Sequence, residues 1–213
     1  MKQVVKYLVH LNQPLAEGVK NMRIILITLF SIVSLFASIT EEGAGIIYGK
    51  NHVFSLQAPK GWVLDNESGV SQGLHAVFYP IGETWRDSKI MAYARGIIKN
   101  DENIKDINSF VNFTIENFKR NGHLNYKGSF HKTLKSKVKN KIGYIYFYEG
   151  DNWNNFEAVA YFEEEKTINI IVLNSQNKKV FEKSLFIFYD LVSSYMFIGN
   201  EVKFEKSSNK LVK

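Results

Sequence analysis

Four groups of residues in this sequence have types and spacings that could do chemistry: a Trp-Arg pair, an alternating lysine run, a tryptophan among asparagines, and the histidines. Trp85 and Arg86 sit in a stretch from Leu74 to Asp87 that also carries Tyr79. A large amphipathic ring beside a guanidinium is favoured at binding hot spots, which makes Tyr79, Trp85 and Arg86 candidate binding residues. The competing reading folds Trp85 back as a lid on the core and pairs Arg86 with Glu83 or Asp87. Trp153, set between asparagines near Asp151, is a fourth candidate: it either lines a small polar cleft or covers a sheet edge. Lys135, Lys137, Lys139 and Lys141 alternate with other residues just after Lys132. In an extended chain their ammonium groups share one side and suit an anionic lipid, polymer or partner. In a hairpin tip they are merely solvated.

Metal and catalytic chemistry has less support. His52, His75, His123 and His131 lack metal-ligand spacing with one another or with acids, and read as ordinary strand or loop histidines. There is no phosphate-binding glycine loop with lysine, no HExxH helix and no acidic calcium loop. The absence of cysteine excludes disulfides, thiolate metal sites, cysteine nucleophiles and a lipoprotein anchor. No cofactor or metal is expected. An enzyme would have to assemble its site in space, with His75, Glu83 and Asp151 as the polar groups at hand. Four of the 27 basic residues and one of the 21 acids precede position 41, leaving +3 on the rest of the chain. With acids interspersed through that part, no basic stripe forms and nucleic-acid binding is not expected.

The elements that must position these residues follow from hydrophobic spacing. With 213 residues, 45% of them hydrophobic, the chain is long enough for one good core and short for two. Extended segments are expected at His52–Ala58, Leu74–Tyr79 and Lys89–Ile98, the last two forming a hairpin with a long tip. Ile107, Phe110, Val111, Ile115 and Phe118 recur at spacings of three and four, which predicts an amphipathic helix capped by Asn103 or Asp106 and ended by Gly122. Four more strands are expected at Tyr126–Leu134, Lys141–Glu149, Phe156–Glu163 and Thr167–Asn174, with a hairpin joining the last two. Phe181, Leu185, Phe188, Val192 and Tyr195 or Met196 then predict a helix over Lys178–Phe197. Several strands are apolar on both sides, as in Tyr144, Tyr146 and Tyr148 against Ile145 and Phe147, and a sheet of that kind needs cover on both faces. The expected fold is α+β: a single antiparallel sheet with a helix on each face, an α/β/α sandwich.

Ile24 to Thr40 carries no charge and lies between Lys20 and Arg23 on one side and Glu41 and Glu42 on the other. A positive start, an apolar middle and the small residues Ala37, Ser38 and Thr40 describe a secretory signal peptide over 22–40, processed after Thr40. The alternative is a retained membrane anchor, because the run falls little short of the roughly 20 residues that span a bilayer. Residues 1–21 read as an extension ahead of a start at Met22, residues 41–198 as one domain, and 199–213 as a polar flexible tail. Asn66-Glu-Ser68 and Asn112-Phe-Thr114 spell glycosylation sequons, the second inside the predicted helix, and neither is expected to be modified.

The strand order, the helix positions and the run from Phe54 to Trp62, which ends in Pro59-Lys60-Gly61-Trp62, resemble the PsbP-like superfamily over about residues 46–198. That resemblance implies an α/β/α sandwich and a binding or assembly-assisting role rather than an enzymatic one. It carries no ion or partner site onto particular residues here. The functional expectation is a periplasmic or secreted non-enzymatic protein that engages a partner of the cell envelope. The alternatives are an envelope hydrolase or a factor that touches the membrane surface.

Overall fold

The computed structural model describes residues 43–100 and 102–201. The leader at 22–40, the extension at 1–21 and residues 202–213 of the tail lie outside the described residues. In chain order the elements are β1 (Ala44–Gly49), β2 (His52–Gln57), β3 (Trp62–Asp65), a 3-10 turn (Val70–Gln72), β4 (Ala76–Pro80), β5 (Met91–Ile98), α1 (Ile107–Arg120), β6 (Lys127–Lys135), β7 (Ile142–Glu149), β8 (Phe156–Glu163), β9 (Thr167–Ser175), α2 (Lys178–Ser193) and β10 (Met196–Gly199). Among the described residues no helix is long and apolar enough to cross a membrane.

The strands form two sheets, which corrects the expectation of a single sheet with a helix on each face. One sheet has seven strands in the order β3-β4-β5-β9-β8-β7-β6, and the other has three in the order β1-β2-β10. The class remains α+β. The segment around His52 does not join the large sheet; it pairs with β1 on one side and β10 on the other, antiparallel to both. Three strands were not anticipated, and each hid for a physical reason. β1 is six residues bounded by glycines, β3 is only four residues long, and β10 continues the helical spacing of the segment before it.

The large sheet is antiparallel at every pairing, and its register sorts side chains to two faces. Ala158, Ala160, Phe162, Ile171 and Leu173 pack with Phe181, Phe188, Leu191 and Val192 of α2 and with Ile47, Phe54 and Leu56 of the small sheet. Val159, Tyr161, Ile168, Ile170 and Val172 pack with Ile107, Phe110 and Val111 of α1. The first face therefore takes its cover from a helix and a second sheet together. A capping box starts α1: Asp106 accepts from Ser109 N–H while Ser109 Oγ accepts from Asp106 N–H. Asn177 caps α2 by accepting from Val180 N–H at 3.1 Å. α2 stops at Ser193, short of the expected Phe197. Ser193 and Ser194 there turn their hydroxyls back onto the carbonyls of Asp190 and Leu191.

Candidate functional site

The loop between β4 and β5 is built by short-range bonds. Thr84 Oγ1 donates to Asp87 Oδ2 at 2.7 Å, and Ser88 N–H donates to Thr84 O at 3.0 Å. Ser175, buried at the end of β9, donates to Lys89 O at 2.6 Å and accepts from Asn177 N–H at 3.1 Å, tying the loop to the start of α2. Between these segments lies a cleft of about 960 Å³, whose lining includes Trp85, Arg86, Met91, Asn155, Asn174 and Asn177.

Trp85 is half-buried and belongs to neither core cluster. Arg86 is exposed and stacks its guanidinium over the Trp85 ring, 5.2 Å from the ring centre. Among the described residues Arg86 makes no ion pair with Glu83 or Asp87, and Asp87 is occupied by Thr84. The three asparagines each spend one end of the amide internally. Asn174 Nδ2 donates to Glu157 Oε1 at 3.0 Å, Asn155 Nδ2 donates to Asp151 Oδ2 at 2.7 Å, and Asn177 Oδ1 serves the helix cap. The carbonyl ends of Asn155 and Asn174 and the amino end of Asn177 have no protein partner among the described residues, which leaves two acceptors and a donor for a ligand. Burial holds the Glu157 carboxyl above its ordinary range.

The other predicted residues go elsewhere. Tyr79 donates its hydroxyl to Asp65 Oδ2 at 3.1 Å and does not line the cleft. Trp153 is 57% exposed and packs on the His123 ring at 4.5 Å. Its turn is organised by buried Asp151, which accepts from the N–H groups of Trp153 at 3.0 Å and Asn155 at 2.8 Å. Trp153 therefore bears on the cleft only through Asn155. The groups available to a hydrolase separate as well: His75 bonds to His52, Asp151 builds its turn, and Glu83 is exposed on the β4–β5 loop.

The lysine run does not stay extended. β6 ends at Lys135, and buried Ser136 closes a turn by donating to Val138 O at 2.5 Å and accepting from Lys141 N–H at 3.1 Å. Lys139 and Asn140 both have positive φ, 55° and 54°. Lys141 reaches the buried carboxylate of Glu164 at 2.5 Å, Lys137 approaches Asp190 at 3.9 Å, and Lys139 donates to Phe197 O at 3.2 Å. The run is thus a turn, with Lys137, Lys139 and Lys141 engaged within the protein, rather than an extended row.

No protein-family model matches the sequence, and no curated protein matches it. Solved structures do. The cyanobacterial PsbP (CyanoP) from Synechocystis sp. PCC 6803 is 11% identical with a TM-score of 0.49, the match covering 75% of this chain and 95% of that one. The Saccharomyces cerevisiae Ran-binding protein Mog1p is 11% identical with a TM-score of 0.42, the match covering 75% of this chain and 97% of that one. These two likenesses are consistent with the weak PsbP-like resemblance of the sequence and do not carry it further. At this identity it assigns no ligand, partner or reaction.

Sequence reasoning singled out Trp85 and Arg86, which line this cleft, and did not single out Asn155, Asn174 and Asn177, which line it too. The available signal was that each sits at or beside a strand end, where asparagine supplies caps and turns. It also read His52 as ordinary, although His52 is buried and its Nε2 lies 3.1 Å from Nδ1 of His75.

Proposed function

We propose that the chain is exported and acts as a non-enzymatic binding protein that engages a protein of the cell envelope through the cleft beside Trp85. The observation that carries this reading is Trp85 itself: an indole outside both cores, held half-open at a large polar cleft with a guanidinium on its face. Tryptophan and arginine are the side chains that most often dominate interface energies. The asparagine amides add orientation, and the bonds through Thr84, Ser88 and Ser175 hold the loop ready, which lowers the ordering cost of binding. Export is supported by the sequence over 22–40.

The test begins with in-cell crosslinking of the processed protein to identify its partner, followed by titration of the purified pair. Trp85→Ala should weaken the complex at least about tenfold, with circular dichroism and thermal unfolding close to the parent. Loss of the fold in Trp85→Ala would establish the lid reading instead, and unchanged affinity would remove the cleft from the interface. Recovery of the protein from the cytosol with its leader intact would overturn export.

A further inference from the structure

The outward face of the three-stranded sheet is apolar. Residues 47, 54 and 56 of β1 and β2 point into the core, so 46, 48, 53 and 55 point out. Ile46 and Tyr48 are 54% and 59% exposed, and Ile198 on the neighbouring β10 is 46% exposed. Register aligns Ile46 with Ser55 and Ser55 with Met196, and Tyr48 with Val53, which is itself buried, so the exposed apolar groups flank the middle strand on β1 and β10. Among the described residues none of these side chains belongs to a core cluster. Exposed apolar side chains gathered on one sheet face are unusual without a binding role.

Cations rim this face. Lys50 is exposed on the β1–β2 turn, and Lys139 is fixed beside β10 by its bond to Phe197 O. At the Gln57 end, Lys60 and Lys137 flank a groove that also takes in Ala58 and Val138. Asp190 lines the same groove, 3.9 Å from Lys137, and Glu41 and Glu42 precede β1 in the sequence. The chain enters the sheet at that same end, because Ala58 N–H donates to Gly43 O at 3.2 Å. In the sequence only residues 41–43 tether β1 to the uncharged run at 24–40.

We infer that the outward face of the β1-β2-β10 sheet docks on an anionic lipid bilayer. Apolar side chains and the amphipathic tyrosine enter the interface, while Lys50 and Lys139 meet lipid phosphates. A second copy of the chain is a poorer occupant, since it would bring the same lysines against one another. While the run at 24–40 remains attached, the short tether raises the local concentration of the face at the bilayer; after processing, the face and its lysines bind alone and more weakly. This surface is on a different sheet from the Trp85 loop, so the inference stands apart from the proposed function.

The absence of cysteine makes site-specific labelling simple. The full chain, reconstituted with phosphatidylcholine vesicles with or without phosphatidylglycerol, would carry an environment-sensitive fluorophore through Tyr48→Cys or Ile198→Cys. Val70→Cys and Phe186→Cys, at sites 57% and 66% exposed, are the references. Probes at 48 and 198 should shift to the blue and be quenched by nitroxide lipid when phosphatidylglycerol is present, while those at 70 and 186 stay in water. Lys50→Gln with Lys139→Gln should reduce the preference for phosphatidylglycerol, by roughly fivefold for each charge removed. Probes at 48 and 198 as wet as that at 70 would overturn the inference. So would protection that needs no lipid and grows with protein concentration, which would assign the face to self-association.

Discussion

At the scale of single residues, the pairing of His52 and His75 has the clearest consequence. His52 is buried, its Nδ1 donates to Lys50 O at 3.1 Å, and its Nε2 lies 3.1 Å from His75 Nδ1, with the rings stacked at 4.9 Å. Burial lowers the affinity of both rings for a proton, and the Arg95 guanidinium lowers that of His75 further. A histidine that resists protonation only in the folded state gives stability that is complete above the unfolded value near 6.5 and is lost as pH falls below it. Urea unfolding should therefore show a stability plateau above about pH 7 and a decline towards pH 5. Glu157, held above its ordinary range by burial, acts with the opposite sign, so the comparison should be made with His75→Gln, which should flatten the decline. An equal slope in that variant would place the titration elsewhere. None of this was legible in the sequence, because positions 52 and 75 are 23 residues apart and only the meeting of two sheets joins them.

At the scale of elements, the spacing and type of apolar residues located α1, α2 and seven strands, β2 and β4 to β9, most of which bury an apolar face long enough to leave a repeat. It failed at the end of α2. Tyr195 and Met196 fall at helical spacing, yet the two serines before them close the helix and release the chain into β10. Tyr195 then serves the junction rather than the helix. It is fully buried, stacks on Phe162 at 3.8 Å, donates to Glu164 Oε1 at 3.1 Å and accepts from Asn169 Nδ2 at 2.8 Å. Tyr195→Phe keeps the ring and removes the hydroxyl, leaving Asn169 and Glu164 each short of a buried partner. The expected loss is about 1–3 kcal/mol of stability in denaturant titrations. A change within a few tenths of a kcal/mol would mean that water replaces the hydroxyl.

At the scale of the whole molecule, the question is how a small sheet is held against a large one, and the glycines give the answer. Gly96 on β5 and Gly49 on β1 both lie against the His52 ring: a methyl group at Gly96 would run into Nδ1, Cγ and Cε1, and one at Gly49 into Cε1 and Nε2. At this point a single imidazole fills the space between β1 and β5, and only residues without a side chain leave room for it. The sequence displayed both glycines but gave no reason to connect them, since close approach of backbone to a ring leaves no periodic trace. Gly96→Ala should wedge the sheets apart at this point, costing about 1–3 kcal/mol as overpacking does. Its signature should be local. In hydrogen exchange, amides of β1 and β2 should lose protection, while those of β7, β8 and β9, paired with one another along the centre of the large sheet, should keep theirs. Uniform loss across both sheets would mean that the small sheet is not a separable layer but an integral part of one cooperative core.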